Sequence, residues 1–199
     1  EIDALLLKNI ICHASLPGPP AENPYRPACV FLLLFEKTEP CLLAIQKSDN
    51  EGYPWRNQIA LPGGHRSAED ACPMDAAFRE LEEELNIPGD QVEFIGSIGH
   101  FKTNSHHRDI EVFIGLWNGR GPVRCDRREI ARVLEIPFSD LQRIHNRSNY
   151  RGRDAESLDL RYPYKDVVIW GATARILHFF IELASPFIGD NLSISHPAS

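Results

Sequence analysis

Short apolar runs broken by polar turns make up much of the hydrophobic pattern along this 199-residue chain. Residues 28–36 and 41–46 are two such runs, and the "KTEP" between them is a turn signal, so we predict a β-hairpin. The β-branched and aromatic segments "QVEFIGSIGHF" and "IEVFIGLW" predict further strands. "LDLRYPY" and "DVVIW" are also predicted strands, and "IALPGG" is a strand end broken by a proline and two glycines.

Other segments are predicted to be helical. The N-terminal "EIDALLLKNIICHASLPGPP" is predicted to be a short amphipathic helix that ends before a Pro/Gly-rich linker. A second helix is predicted over residues 73–86, with Pro73 in its first turn. The stretch "REIARVLEIP" is predicted to lead into a helix around "SDLQRIHN". In "GATARILHFFIELA" apolar residues recur at helical spacing, which marks a core-facing helix. Strands alternating with a few helices predict one α/β (α+β) domain with a mixed sheet and helices on its faces.

The predicted elements divide the chain into three parts. Residues 1–27 hold the N-terminal helix and a proline-rich linker, residues 28–185 form the domain, and residues 186–199 are a C-terminal tail.

Charge and composition exclude several classes of partner. The net charge of −7 argues against binding to nucleic acid, because proteins that track phosphates carry a basic face. No apolar run reaches the roughly 18 residues needed to cross a bilayer, so no membrane association is expected. The N-terminus lacks the basic region of a signal peptide, and the five cysteines are scattered without a C-x-x-C pair. We therefore expect reduced thiols and a cytoplasmic location.

The segment "FRELEEELNI" concentrates acidic residues on one side of the second predicted helix. Residues three and four positions apart share a helix face, so Glu80, Glu83 and Glu84 lie together, whereas Leu81 and Leu85 project to another side. Like charges at these spacings repel, and a divalent cation among them would make the cluster favourable. A solvated acidic face is the alternative.

The preceding loop and this helix together, "LPGGHRSAEDACPMDAAFRELEEELNI", resemble the signature of the Nudix hydrolases. In that signature a glycine turn and an early acid precede an R-E-x-x-E-E helix. From Gly64 to Arg79 is fifteen positions, one more than usual, so the early acid here is Asp70 or Glu69. Asn86 stands in place of the late glycine, a mild change because Asn is the next best residue in the left-handed conformation.

The longer loop is similar to that of one Nudix subgroup, the coenzyme A diphosphatases. "NQIALPGG" is similar to their G-Q-V-A-F-P-G-G segment, with Asn57 replacing the glycine, and "VVIWGATARIL" is similar to their closing helix. In "LLAIQKS", Gln46-Lys47 stands where the subgroup has an arginine. The resemblance covers roughly residues 28–183 and implies an α/β/α sandwich that cleaves coenzyme A or acyl-CoA to 3′,5′-ADP and 4′-phosphopantetheine. Another dinucleotide, a nucleotide sugar or a nucleoside triphosphate is the alternative substrate, and a non-catalytic binding module is a second alternative.

The same resemblance implies Mg²⁺ or Mn²⁺ as the cofactor and assigns roles to the acidic helix. Glu80 and Glu84 are expected to be the main metal ligands, with Glu83 as a third ligand or as the group that orients the attacking water. Arg79 is expected to brace the loop by pairing with Asp70 or with a helix carboxylate. A direct phosphate contact from Arg79 is the alternative.

Other candidates lie outside the acidic helix. Gly63 and Gly64 are expected to let the backbone approach the phosphates or the metal, with a plain turn as the alternative. The general base is sought elsewhere in the chain, and Glu129 and Glu111 are candidates. Each is alternatively an ordinary exposed acid.

Three basic residues, Lys47, Arg56 and Arg26, are candidate phosphate contacts, and each is alternatively a solvated charge. Trp55 and Tyr53 are candidates for stacking on adenine, with anchoring of the loop as the alternative.

Three histidines, His100, His106 and His107, are interpreted as surface residues rather than a zinc site, because no second group of ligands accompanies them. The resemblance also implies a small nucleotide substrate and a homodimer.

Overall fold

Four helices and nine strands form the described part of the chain, which in this computed structural model comprises residues 2–21, 25–52, 55–103 and 107–188. The helices are α1 (Ala4–His13), α2 (Pro73–Leu85), α3 (Phe138–Arg147) and α4 (Gly171–Ile188). The strands are β1 (Arg26–Glu36), β2 (Pro40–Lys47), β3 (Ile59–Ala60), β4 (Gly63–His65), β5 (Val92–Lys102), β6 (Arg108–Trp117), β7 (Ile130–Pro137), β8 (Tyr162–Tyr164) and β9 (Val167–Ile169). Tyr53, His106 and most of the predicted tail lie outside the described residues.

The strands β1 to β7 form one mixed sheet, and β8 and β9 form a separate antiparallel hairpin. β6 runs parallel to β1, whereas the β1–β2, β2–β7 and β5–β6 pairs are antiparallel. The predicted hairpin over the "KTEP" turn is confirmed, because Glu36 pairs with Pro40 across it.

Helices cover both faces of the sheet, and consecutive side chains of β1 pack alternately into the two resulting apolar clusters. Phe31 and Leu33 belong to the apolar cluster that contains Leu81 of α2. Leu32 and Leu34 belong to the opposite cluster, to which α1, α3 and α4 contribute. The predicted architecture, a mixed sheet between helices in an α/β/α sandwich, is confirmed.

The β1–β2 pair opens towards one end, and this opening positions the glycine turn. Residues 33–36 of β1 pair with β2, whereas residues 28–30 pair with β4. On β2, residues 40–43 pair with β1, whereas residues 45–46 pair with β3. The short strands β3 and β4 therefore fill the gap between the two diverging strands, and they bring the Gly63-Gly64 turn to the sheet.

Some elements differ from the sequence prediction. "REIARVLEIP", predicted only as an approach to a helix, forms β7, in which Leu134 and Ile136 are buried and Glu135 is exposed. Because β7 pairs with β2, alternate side chains of this stretch are buried. The charged residues in the stretch make that alternation hard to recognise from sequence alone. "LDLRYPY" is a strand only from Tyr162 onward. Helix α1 packs through Leu7 on the same apolar cluster as α3 and α4.

The five cysteines, Cys12, Cys29, Cys41, Cys72 and Cys125, are all free thiols. Among the helices of the described residues, none combines the length and the apolar character that a membrane span requires.

Candidate active site

Helix α2 has well-defined ends and a buried side, which together fix the direction of its glutamates. Pro73 occupies the first turn, and Asn86 ends the helix in the left-handed conformation (φ 56°, ψ 37°), with its N–H donating to Glu82 O at 2.8 Å. This is the conformation that we predicted for Asn86. Leu81 and Leu85 are fully buried against the sheet. The carboxylates of Glu80 and Glu84 lie beside this buried side and face the glycine turn at β4.

The glycine turn packs directly against those carboxylates. Gly63 has φ 141°, and an added Cβ would collide with the carbonyl of Cys29 in β1. At Gly64 an added Cβ would collide with the carboxylate of Glu80. Gly63 therefore requires glycine for its backbone conformation, whereas a side chain at Gly64 would force the Glu80 carboxylate to move.

Glu84 is the most buried carboxylate of the helix, with a side chain only 6% exposed. Its Oε2 accepts a hydrogen bond from the Gly63 N–H at 2.9 Å, and its Oε1 lies 2.6 Å from Lys47 Nζ. Burial raises the pKa of Glu84 above its ordinary value, and the Lys47 ammonium and the Gly63 N–H oppose that rise. The structure thus pairs two residues for which separate roles were predicted, Glu84 as a metal ligand and Lys47 as a phosphate contact.

Arg79 joins the loop to the acidic helix. Its Nε and Nη2 donate to the two oxygens of Asp70 at 3.0 and 3.1 Å, and Nη2 also donates to His65 O. Its Nη1 donates to Glu80 and to Glu83, both at 3.0 Å. The Arg79 guanidinium holds the pKa of Asp70 well below its usual range. Arg79 therefore contacts the loop through Asp70 and His65 and the helix through Glu80 and Glu83.

A cleft of about 560 Å³ opens beside the glycine turn. Its lining includes six of the residues that the sequence singled out as site residues: Lys47, Gly63, Gly64, Glu80, Glu84 and Glu129. Glu83 instead contacts Arg79 with its side chain 60% exposed, and Arg56 pairs with Asp49 at 3.3 Å on the surface. The structure thus brings together most of the predicted site and leaves Glu83 and Arg56 apart from the cleft lining.

Two further cleft residues, Arg108 and Trp170, were missed by the sequence analysis. The Arg108 guanidinium lies over the Trp55 ring at 4.3 Å from its centroid and contacts His65. Trp170 is 48% exposed, and it lines the cleft immediately before α4. The only signal for Trp170 was its place in "VVIWGATARIL", the segment similar to the closing helix of the subgroup.

The remaining candidates lie in other surroundings. His100 pairs with Asp109 at 2.9 Å, and His107 packs edge-on against Tyr25. Glu111 lies in β6 beside Cys29. Arg26 begins β1 in register with Arg108.

The two cleft carboxylates, Glu80 and Glu84, suit a metal ion whose remaining ligands come from water and a substrate. Within the described ranges, no three His, Cys, Asp or Glu side chains converge as a complete metal site. Glu80 and Glu84 nevertheless both line the cleft. Mg²⁺ is commonly bound by one or two carboxylates, with waters and substrate phosphates completing its shell. Hard oxygen donors of this kind fit Mg²⁺ or Mn²⁺, and Glu80 and Glu84 are the residues that would hold the ion.

The fold and the cleft define a class of α/β/α domains in which a glycine turn is packed against an acidic helix. The chain belongs to the Nudix hydrolase family, because the NUDIX domain model matches residues 24–160. Members of this family are generally pyrophosphatases acting on nucleoside diphosphate derivatives with divalent metals such as Mg²⁺ or Mn²⁺.

Relatives and solved structures agree with this assignment. The uncharacterised Nudix hydrolase NudL of Escherichia coli K12 is 31% identical over 183 residues, which cover 89% of this chain and 94% of that protein. The NudL of Photorhabdus laumondii is 29% identical over 82% of this chain and 88% of its own. A Caenorhabditis elegans Ap4A hydrolase is similar in fold, with a TM-score of 0.53 at 16% identity over 81% of this chain and 99% of its own. An Enterococcus faecalis MutT/nudix family protein also has a TM-score of 0.53 at 16% identity, over 94% and 76% of the two chains.

Replacing Gly64 with alanine should lower hydrolysis by about 100-fold, because the new methyl group displaces the Glu80 carboxylate from the cleft. Steady-state turnover at saturating Mg²⁺ and the thermal midpoint are measured together. Gly18→Ala is the control, since a Cβ there meets no atom within 4 Å. Full activity in Gly64→Ala would show that the position of Glu80 is unimportant.

Proposed function

We propose that this protein hydrolyses the pyrophosphate of coenzyme A or an acyl-CoA to 3′,5′-ADP and 4′-phosphopantetheine, with Mg²⁺ or Mn²⁺. The observation that carries this proposal is the cleft itself, because carboxylates, basic residues and apolar residues all line one cavity. The similarity of the loop and closing helix to the coenzyme A diphosphatases supports the same substrate.

The carboxylates and the glycine turn mark the position of the pyrophosphate. A bound divalent cation supplies charge neutralisation for the phosphates and a lowered pKa for attacking water. Glu84 and Glu80 provide its protein oxygens, and Arg79 fixes Glu80 through the 3.0 Å contact of its Nη1. Glu129 is the candidate for accepting the proton of the attacking water, because its side chain lines the same cleft.

The two ends of coenzyme A differ in polarity, and the cleft is lined by both charged and apolar residues. Arg108 and Arg175 line it and provide positive charge for a phosphorylated adenosine. Leu158, Leu160 and Trp170 also line it, and they provide apolar surface for the pantetheine arm. A volume of about 560 Å³ lies within the range of roughly 300–1,000 Å³ typical of small-molecule sites.

One observation favours a different substrate of the same reaction class. Lys47 replaces the arginine that the coenzyme A subgroup has at this point, and its ammonium is engaged by Glu84. Another dinucleotide or a nucleotide sugar is therefore the second candidate. A non-catalytic binding module is disfavoured, because Glu80 and Glu84 are both present and both line the cleft.

A substrate panel tests the proposed function. The purified protein is incubated with Mg²⁺ or Mn²⁺ and coenzyme A, acetyl-CoA, NADH, ADP-ribose, diadenosine tetraphosphate or nucleoside triphosphates, and the products are identified by mass spectrometry. Release of 4′-phosphopantetheine at the highest kcat/KM supports the proposal. Turnover of only the other compounds would replace it by the second candidate.

Replacing Trp170 with alanine should raise the KM for coenzyme A by about three- to tenfold and leave kcat nearly unchanged, because an apolar contact to the pantetheine arm is lost. The control is Val168→Ala, which shortens another exposed apolar side chain of the same hairpin. Equal KM values for the wild type and Trp170→Ala would place the pantetheine arm elsewhere.

A further inference from the structure

The Lys47–Glu84 ion pair is the most enclosed Lys–Glu pair of the described residues. The exposed fractions of the two side chains are 13% for Lys47 and 6% for Glu84, compared with 53% and 42% in the pair of Lys37 with Glu135. Its two members come from different layers, since Lys47 ends β2 and Glu84 lies on α2. Low solvent exposure strengthens the attraction between the two charges. It also means that removing one of them leaves the other buried without a compensating charge.

The pairing of β2 with β7 is irregular at Lys47, and the Lys47 side chain there is directed towards Glu84. The register between β2 and β7 shifts between Gln46 and Lys47. Such bulges are frequent next to active sites, where they re-aim a side chain. Here the side chain that follows the shift points to the cleft carboxylate rather than along the sheet.

Both oxygens of Glu84 already have partners within the protein. The Gly63 N–H occupies Oε2 and belongs to the rigid glycine turn, so it is a fixed contact. Lys47 Nζ occupies Oε1 at the end of a flexible side chain. Of the two contacts, the one with Lys47 can be exchanged without moving the backbone.

We propose that Lys47 and the divalent cation compete for Oε1 of Glu84, so that Lys47 sets how tightly the cleft holds its metal. This inference rests on the proposed function in one respect, which is that the cleft binds a divalent cation through Glu84. Two cations beside one carboxylate repel each other, and the enclosed position of Glu84 leaves little water to screen that repulsion. Lys47 thereby keeps the affinity for metal low.

The opposing interpretation is that Lys47 is only a brace that orients Glu84. The two interpretations predict opposite results when the positive charge is removed. If Lys47 competes with the metal, Lys47→Met should bind the metal more tightly, because methionine keeps an apolar stem without the charge. If Lys47 braces Glu84, the same variant should bind it more weakly, because the carboxylate loses its orientation.

The test measures Mn²⁺ binding directly, in the absence of substrate. Free Mn²⁺ is followed by electron paramagnetic resonance during titration of the full chain at pH 8.5, which keeps protons from competing for Glu84. We expect Lys47→Met to lower the Mn²⁺ dissociation constant by about tenfold. Lys47→Arg keeps the charge and should remain near the wild-type value.

Lys37→Met is the matched control, because it removes the lysine from the exposed pair with Glu135 at the far end of the same hairpin. Its Mn²⁺ affinity should equal that of the wild type. A Mn²⁺ dissociation constant for Lys47→Met that is equal to or above the wild-type value would overturn the inference.

Glu84→Gln separates failure of this inference from failure of the proposed function. If Mn²⁺ binds equally to the wild type and to Glu84→Gln, then Glu84 is no metal ligand and both proposals lose their basis. If the wild type binds through Glu84 and Lys47→Met does not tighten binding, only the competition is wrong.

Discussion

Replacing Glu84 with glutamine should lower pyrophosphate hydrolysis by about 10³-fold, because a neutral amide binds a divalent cation poorly and leaves the charge of the phosphates uncompensated. Glutamine keeps the shape of the side chain and an oxygen that can accept the Gly63 N–H bond. The loss should therefore appear in kcat at saturating substrate and metal, measured by product release.

Glu82→Gln is the matched control for this change. Glu82 is exposed on the same helix, beside the other glutamates in sequence, and it does not line the cleft. Circular dichroism should show both variants folded. Comparable activity in Glu84→Gln and the wild type would refute the assignment of Glu84 as a metal ligand, whatever the substrate.

Replacing Arg79 with methionine should lower hydrolysis by about 10- to 100-fold and also lower the thermal midpoint. The guanidinium joins Asp70, Glu80, Glu83 and the His65 carbonyl, and methionine can donate to none of them. Residues that orient metal ligands commonly contribute effects of this size. Turnover and thermal unfolding are measured on the same preparation.

The stability loss in Arg79→Met should depend on pH in a defined direction. The pKa of Asp70 lies below its ordinary value of 3.8 in the folded protein, so its contribution to stability is fully present above that value. The contribution is lost as the pH falls below about 4, because the carboxyl is then protonated in the unfolded chain first. The difference in thermal midpoint between the wild type and Arg79→Met should therefore be constant from pH 7 to pH 5 and shrink below pH 4.

Arg143→Met provides the control for removing an arginine, since Arg143 pairs with Asp140 on the surface of α3. It should leave turnover unchanged. If Arg79→Met retained full turnover, the bracing of Glu80 would have no part in catalysis.

Local sequence was sufficient to predict the acidic helix and its ends. The positions of Pro73 and Asn86, the apolar Leu81 and Leu85, and the glutamates between them are all features of one continuous segment. Helix periodicity and capping act over a few residues, so they can be interpreted without the rest of the chain. The β1–β2 hairpin was predictable for the same reason.

Pairings between distant segments were not predictable in this way. Lys47 meets Glu84 across 37 positions, and Arg108 meets His65 across 43. Each contact depends on strand register and on how far β1 and β2 diverge, and neither quantity is encoded in a local pattern. Strand β7 was missed for a related reason, because pairing with β2 overrides its charged composition.

The order of residues along the chain is enough to predict a glycine turn followed by a helix with Glu80, Glu83 and Glu84 on one side, since helix geometry fixes which residues share a face. How those three carboxylates are used depends on the packing of distant segments. That packing places Glu80 and Glu84 in the cleft and turns Glu83 towards Arg79 and solvent. The physical reason is that the partners of each carboxylate come from β2, β4 and the loop, and packing of the helix on the sheet selects among them.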